Sequence, residues 1–165
     1  MAVEGAPIMT VECLCTSCAA AAVRMEARDG VAPAVTAWGG TDYVMVRKDR
    51  FAMEAGADLL AFFRLTPGAK TRRVVASCCG TPMFLEFEAG HWVSVYAHLW
   101  PERERPAVEL RTMARDHADA AGLPTDVPNL ATHNLRFMGR LLSAWVAMGF
   151  RVPKLDFVGK ELTGV

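Results

Sequence analysis

The chain has 165 residues, of which 52% are hydrophobic and 22% are charged, a balance typical of a globular domain. Lys plus Arg and Asp plus Glu number 18 each, so the net charge does not favour nucleic acid or an anionic membrane surface as a partner. No segment has the pattern of a signal peptide or the length of an apolar membrane span. We therefore expect a cytoplasmic protein whose five cysteines stay reduced.

The first predicted elements are a strand and a helix. Residues 8–12 alternate weakly between apolar and polar side chains, which predicts a short strand. Residues 16–27 are rich in alanine and predict a short helix. Asp29 and Gly30 are expected to end this helix, and Pro33 is expected to keep the following loop out of helix.

Several short strands follow. Runs of β-branched and aromatic residues between turn residues predict strands over 42–47, 59–65, 72–77, 82–87 and 91–99, and a further strand over 107–112 is compatible with the sequence. Residues 116–134 are polar and contain two prolines, which indicates an ordered excursion or a mobile loop. Asn134 is expected to cap an amphipathic helix that ends near Gly149.

These elements predict a single, mainly β domain over residues 1–165. We expect a sheet or sandwich of antiparallel strands over about residues 8–100, followed by an extension over 101–165 that carries the amphipathic helix.

Three cysteines lie within six residues, as Cys13, Cys15 and Cys18 in a C-x-C-x-x-C motif. Side chains two residues apart share a face of an extended segment, and a turn after Cys15 brings the third thiol back to the other two. Zinc prefers such thiolate ligands, and an iron–sulfur cluster usually requires four cysteines. The alternative is that the thiols are small core hydrophobes beside the alanine-rich helix.

Cys78 and Cys79 form the second cysteine group. Adjacent residues on a strand point to opposite faces, so one of the two could be a fourth metal ligand while the other packs in the core, or both could be structural. A thiol-redox role for this pair is a further hypothesis. None of the four histidines completes a zinc site by its spacing.

Three sequence blocks resemble the glutathione-dependent formaldehyde-activating enzyme family, also described as the centromere protein V-like domain. Segment 13–18 is similar to its C-x-C-x-x-C motif, segment 39–42 to its glycine-threonine block, and segment 78–82 to its C-x-x-C-G-T-P motif, with Cys79 on the last cysteine. The order and spacing of the blocks agree over roughly residues 10–100. The resemblance is to a divergent bacterial branch.

The resemblance implies an Mss4-like β-tent, with zinc on the C-x-C-x-x-C cysteines. It also implies carbon–sulfur lyase chemistry, the reversible joining of formaldehyde and glutathione. The chain departs from the family pattern because no cysteine precedes Cys13 and Ala76 stands where the first cysteine of C-x-x-C is expected. The family's second, structural zinc therefore cannot form with four cysteines, and we expect about one zinc ion per chain.

Four residues are candidates for binding a small thiol such as glutathione. Gly39 and Gly40 allow a close approach of backbone to ligand, although such paired glycines more often form a plain turn. Arg64 and Arg73, with Arg72 beside them, could bind a ligand carboxylate, or they could be solvated strand residues.

Two functions from different classes follow from these residues. In an enzyme, three thiolates leave one zinc position open for a substrate thiol, and a general acid or base cannot be assigned from the sequence. In a non-catalytic zinc domain, a fourth protein ligand closes the site.

Overall fold

The computed structural model describes residues 1–26 and 34–162, which contain two α-helices and ten strands. The elements are β1 Ala2–Val3, β2 Met9–Cys13, α1 Thr16–Glu26, β3 Thr41–Arg47, β4 Phe51–Ala52, β5 Leu60–Phe63, β6 Thr71–Ala76, β7 Pro82–Phe87, β8 Trp92–Tyr96, β9 Leu110–Thr112, α2 Leu135–Ala147 and β10 Lys160–Glu161. Each predicted strand corresponds to an observed one, within a few residues at the ends. The predicted end of the first helix, at residue 27, and the signals at Asp29, Gly30 and Pro33 lie outside the described residues.

Eight strands form one sheet in the order β10-β5-β6-β7-β8-β3-β2-β9. The pairs from β5 through to β2 are antiparallel, whereas β10 pairs with β5 and β9 pairs with β2 in parallel. The expected mainly β architecture is therefore confirmed, but the expectation of antiparallel pairing throughout is wrong at both edges. Both edge strands follow long connections, which allow the chain to return in the same direction.

Both faces of the sheet are buried, as the alternation along β3 shows. Tyr43 and Met45 belong to a hydrophobic cluster that also contains residues of α1 and α2. Val44 and Val46 point the other way, into a second cluster that the segment after α2 helps to cover. The period of two along the strand thus separates two cores, and the cysteines lie on the side covered by the helices.

Helix α2 begins where its sequence predicts. The Asn134 side chain accepts a hydrogen bond of 2.9 Å from the backbone N–H of Phe137, an N-cap that contributes about 1 kcal/mol. Phe137 and Leu141 are buried one turn apart and fix the inner face of the helix. Neither helix of the described chain has the length and apolar character needed to cross a membrane.

Asp42 lies opposite Glu12 in the pairing of β3 with β2, on the face away from the cysteines. Its Oδ1 atom is buried without a hydrogen-bond partner. Burial and, secondly, the charge of Glu12 raise the pKa of the Asp42 carboxyl to about 6. The ionised carboxylate is therefore unfavourable in the folded chain at neutral pH.

We predict that Asp42→Asn raises the melting temperature at pH 8 and has little effect below pH 4. The pKa of Asp42 is higher in the fold than in the unfolded chain, so its contribution to stability is full below pH ~4 and is lost as the pH rises through about 6. Because the side chain is partly exposed, we expect a gain of about 1 kcal/mol, or 2–4 °C by circular dichroism. The exposed Asp58→Asn is the matched control, and an equal gain at both pH values would contradict the prediction.

Candidate metal centre and adjoining cavity

The three clustered cysteines lie at the corner where β2 passes into α1. Cys13 is the last residue of β2, Cys15 immediately precedes α1, and Cys18 lies in the first helical turn. Cys15 acts as the helix N-cap, because its Sγ accepts a hydrogen bond of 3.3 Å from the backbone N–H of Cys18. The predicted strand and helix thus meet at a turn that directs all three side chains to one point.

The three Sγ atoms form the only group of three or more potential metal ligands of this kind in the described chain. All three lie within 4.8 Å of one another, and Cys13 and Cys18 are 3.7 Å apart. The Tyr43 hydroxyl lies 3.7 Å from the Cys18 sulfur on the buried side. The cysteines are therefore positioned to hold a metal ion.

Hydrogen bonds distribute charge unequally over the metal-free cluster. Donation from Cys13 and then from Cys18, together with the Ser17 hydroxyl at 3.2 Å, lowers the pKa of the Cys15 thiol well below its usual value. The hydrogen bond to Cys15 is also the main reason that the pKa of Cys13 is raised. The hydrogen bond with Cys13 lowers the pKa of Cys18, but Cys15 and burial outweigh it and raise this pKa to about 11. The cluster favours one thiolate, on Cys15, until a cation binds.

The cysteines line a cavity of about 320 Å³ between the sheet and α2. Its walls are mainly apolar, with aromatic side chains from β3, β8 and α2. Its lining residues include Cys13, Cys15, Cys18, Arg73, Trp92, Thr112, His133, Phe137 and Leu141. A mostly apolar cavity with a few convergent polar groups is typical of a small-molecule site.

Arg73 contributes a buried positive charge to this cavity. Its side chain is on β6, and the residue is only 3% exposed. One guanidinium nitrogen donates to the backbone oxygen of Ser17 at 3.1 Å, while the buried Nε has no partner among the described residues. The Thr112 hydroxyl, also on the cavity wall, is likewise buried without a partner. Buried donors without partners are rare, and both of these atoms belong to residues that line the cavity.

His133 is the functional candidate that the sequence did not reveal. It precedes α2 in the long polar excursion, and its ring stacks on Phe137 at a centroid distance of 4.2 Å. His133 lines the same cavity as the cysteines but is also exposed to solvent. Partial burial lowers its pKa, against an opposing effect from the charge of Cys15, and this favours the neutral imidazole. No spacing rule links it to Cys15 across more than one hundred residues.

Two of the predicted arginines are engaged elsewhere. Arg64 pairs with Glu88 and Glu161, each at 2.9 Å. Arg72 donates to Glu86 at 2.8 Å and points to the face of β6 opposite Arg73. Neither Arg64 nor Arg72 lines the cavity, so Arg73 is the arginine that adjoins the cysteines.

The paired glycines form a turn before β3. Gly39 has a φ of +72°, and its N–H donates to the Thr36 oxygen at 3.0 Å. A Cβ on Gly40 would lie 2.6 Å from Cγ of Glu12, so glycine is needed there for packing. Neither glycine lines the cavity, which leaves their predicted role in ligand binding without support from its geometry.

Cys78 and Cys79 lie in the turn between β6 and β7, and both are exposed. Neither belongs to the group of sulfur atoms formed by Cys13, Cys15 and Cys18. The structure therefore brings neither of the two candidate fourth ligands to the other cysteines.

The chain matches no protein-family model and no curated protein, so its resemblance to the formaldehyde-activating family depends on the three motifs alone.

We predict that Cys15→Ser weakens zinc binding by more than about 100-fold. Loss of a group that only hydrogen-bonds to a metal ligand costs roughly 10- to 100-fold in affinity, and loss of a ligand itself should cost more. Serine keeps an oxygen acceptor for the helix cap, so the loss reports on ligation and not on capping. The melting temperature should fall in the zinc-loaded protein and change little after chelation, because ligation and folding are coupled. The exposed Cys78→Ser is the control. Unchanged zinc content in Cys15→Ser would remove Cys15 from the ligand set.

Proposed function

We propose that Cys13, Cys15 and Cys18 bind one zinc ion and that the chain is a divergent member of the formaldehyde-activating family with an Mss4-like fold. Tetrahedral zinc with Zn–S bonds of about 2.3 Å requires sulfur atoms about 3.8 Å apart. The 3.7 Å between the sulfur atoms of Cys13 and Cys18 fits this geometry, and three thiol donors are the chemistry that zinc prefers.

The fourth zinc position is proposed to face the cavity. In the described part of the chain, no further Cys, His, Asp or Glu joins the group of three sulfur atoms. The same cysteines line the cavity wall, so an external ligand has access to the metal from that side. Three protein ligands with an open position are typical of catalytic zinc. The juxtaposition of the three thiols with this cavity is the observation that carries the proposal.

A small thiol that bears a carboxylate is the proposed ligand. Bound zinc supplies the positive charge that keeps a ligand thiol ionised at neutral pH. Arg73 is buried on the cavity wall beside the cysteines, and no carboxylate of the described residues pairs with it, so its positive charge can attract a ligand carboxylate. Trp92, Phe137 and Leu141 form apolar walls beside this arginine, which lower the local polarity and strengthen the charge pairing.

The proposed reaction is the reversible cleavage of a thiol–aldehyde adduct, a carbon–sulfur lyase activity. In the cleavage direction, His133 accepts the proton of the adduct hydroxyl. The carbon–oxygen double bond then forms, and the electrons of the carbon–sulfur bond return to sulfur as the aldehyde leaves. In the reverse direction the protonated His133 returns the proton to the new hydroxyl. The neutral state that burial favours suits the first of these steps.

We predict that His133→Gln slows exchange between free thiol and its formaldehyde adduct by about 100-fold, at unchanged zinc content. Exchange is measured by NMR line broadening on the zinc-loaded protein. In the wild type the rate should fall on acidification only below the ordinary histidine pKa, because burial lowers the pKa of His133. His117→Gln, which alters a histidine outside the cavity, is the control. Full activity in Cys15→Ser would rule out the proposed function.

We predict that Arg73→Met weakens binding of 3-mercaptopropionate by roughly 10- to 100-fold and leaves binding of the neutral 2-mercaptoethanol unchanged. Binding is followed by zinc-edge X-ray absorption, in which the number of sulfur ligands should rise from three to four on addition of either thiol. Arg64→Met is the matched control, because Arg64 is paired with two glutamates. Four sulfur ligands before any thiol is added would show a closed, non-catalytic site.

A further inference from the structure

The turn between β6 and β7 presents two adjacent thiols to solvent. The N–H of Ala76 donates to the Thr81 oxygen at 2.9 Å, and the N–H of Gly80 donates to the Ala76 oxygen at 2.7 Å. Gly80 has a φ of +76°, a conformation that glycine adopts without strain. These bonds fix the backbone on both sides of Cys78 and Cys79, so the thiols are held at the tip of an ordered turn.

The two thiols are close together and take no part in the core. Their sulfur atoms are 3.7 Å apart, and both residues are exposed. Neither belongs to the hydrophobic clusters of the described chain, in contrast to the buried Cys18. A purely structural role, one of the alternatives left open by the sequence, does not account for this exposure.

The surroundings of the two sulfur atoms differ. The Thr81 hydroxyl lies 3.0 Å from the sulfur of Cys79. This contact is the largest cause of a lowered pKa at Cys79, followed by the backbone N–H of Thr81 and by Cys78. The pKa of Cys78 is raised, mainly through its hydrogen bond to Cys79. A nucleophilic thiolate beside a second thiol is the arrangement that thiol–disulfide exchange requires.

We propose that this turn is a second reactive site, separate from the metal centre, at which Cys79 attacks a low-molecular-weight disulfide and Cys78 resolves the product. The Cys79 thiolate attacks one sulfur of the disulfide, and the other half leaves as a thiolate. Cys78 gives up its proton and attacks the Cys79 sulfur of this mixed disulfide, so that the second half leaves. The protein loses two hydrogens to form a Cys78–Cys79 disulfide, and one disulfide is reduced to two thiols.

The product is a ring that spans a single peptide bond. Its Cα atoms are about 3.8 Å apart, closer than in most disulfides, so a modest excess of dithiol should reopen it. The site thus cycles between two states. Its chemistry does not depend on the proposed zinc-dependent reaction, because neither thiol belongs to the cysteine group that lines the cavity.

The experiment exposes the full-length, zinc-loaded protein to oxidised glutathione and follows it by intact mass and peptide mapping. We expect the wild type to release two thiols per chain and to form a disulfide in the Cys78–Cys79 peptide, which dithiothreitol reverses. Cys78→Ser should stop at a mixed disulfide on Cys79. Cys79→Ser should react about tenfold more slowly, since the remaining thiol lacks the Thr81 contact.

A positioning role for Thr81 is tested by Thr81→Val, which removes the hydroxyl and keeps the shape. We expect the midpoint of the rate–pH profile to move to higher pH, because the Cys79 thiolate loses a donor. Equal rates in Cys78→Ser and Cys79→Ser, or a mixed disulfide that persists in the wild type, would overturn the assigned roles. Absence of any modification at this turn would overturn the site itself, whatever the zinc content and lyase activity.

Discussion

The corner between β2 and α1 is the constraint on which the candidate site depends. Cys13 is fixed by strand pairing on both sides, opposite Thr41 of β3 and Thr112 of β9. The N–H of Leu14 continues this pairing with a hydrogen bond of 3.0 Å to the Thr112 oxygen. The chain then turns into a helix whose first free N–H groups stabilise negative charge on sulfur. Sheet register and helix capping together bring three thiols to one place.

Charge balance connects this corner to the rest of the cavity. Three thiolates around a divalent ion carry a net negative charge, and Arg73 supplies a buried positive charge on the same cavity wall. The guanidinium also donates a hydrogen bond to the Ser17 backbone oxygen, which connects β6 to α1 and holds the charge in a fixed position. An anionic ligand would share Arg73 with the metal centre. No carboxylate of the described residues pairs with Arg73, so in the proposed site its charge would be available to both groups.

Much of the fold could be predicted, because strands buried on alternate faces carry a period of two and the C-terminal helix carries both a cap and a helical period. The cysteine triad could be predicted from spacing alone. A strand near β9 could be predicted, but β10 and the parallel pairing at both edges could not be, since two or three residues hold too little pattern to indicate a partner or a direction. That Arg73 and not Arg64 adjoins the cysteines depends on the glutamate beside Arg64, which pairs with it. His133 lines the cavity although it belongs to the long polar segment before α2. Both are consequences of tertiary packing, which sequence spacing does not encode.

The locality of the three sulfur donors has a consequence for how the molecule is assembled during synthesis. All of them come from one strand–helix corner near the start of the described chain, whereas the cavity needs β6, β8 and α2, which follow much later. Bringing the three thiols together closes a loop of only six residues, which costs little entropy, so the proposed ion could bind loosely to a nascent chain before pairing with β3 and β9 fixes the final position of Cys13. The ion would then serve as an early anchor around which the sheet is completed.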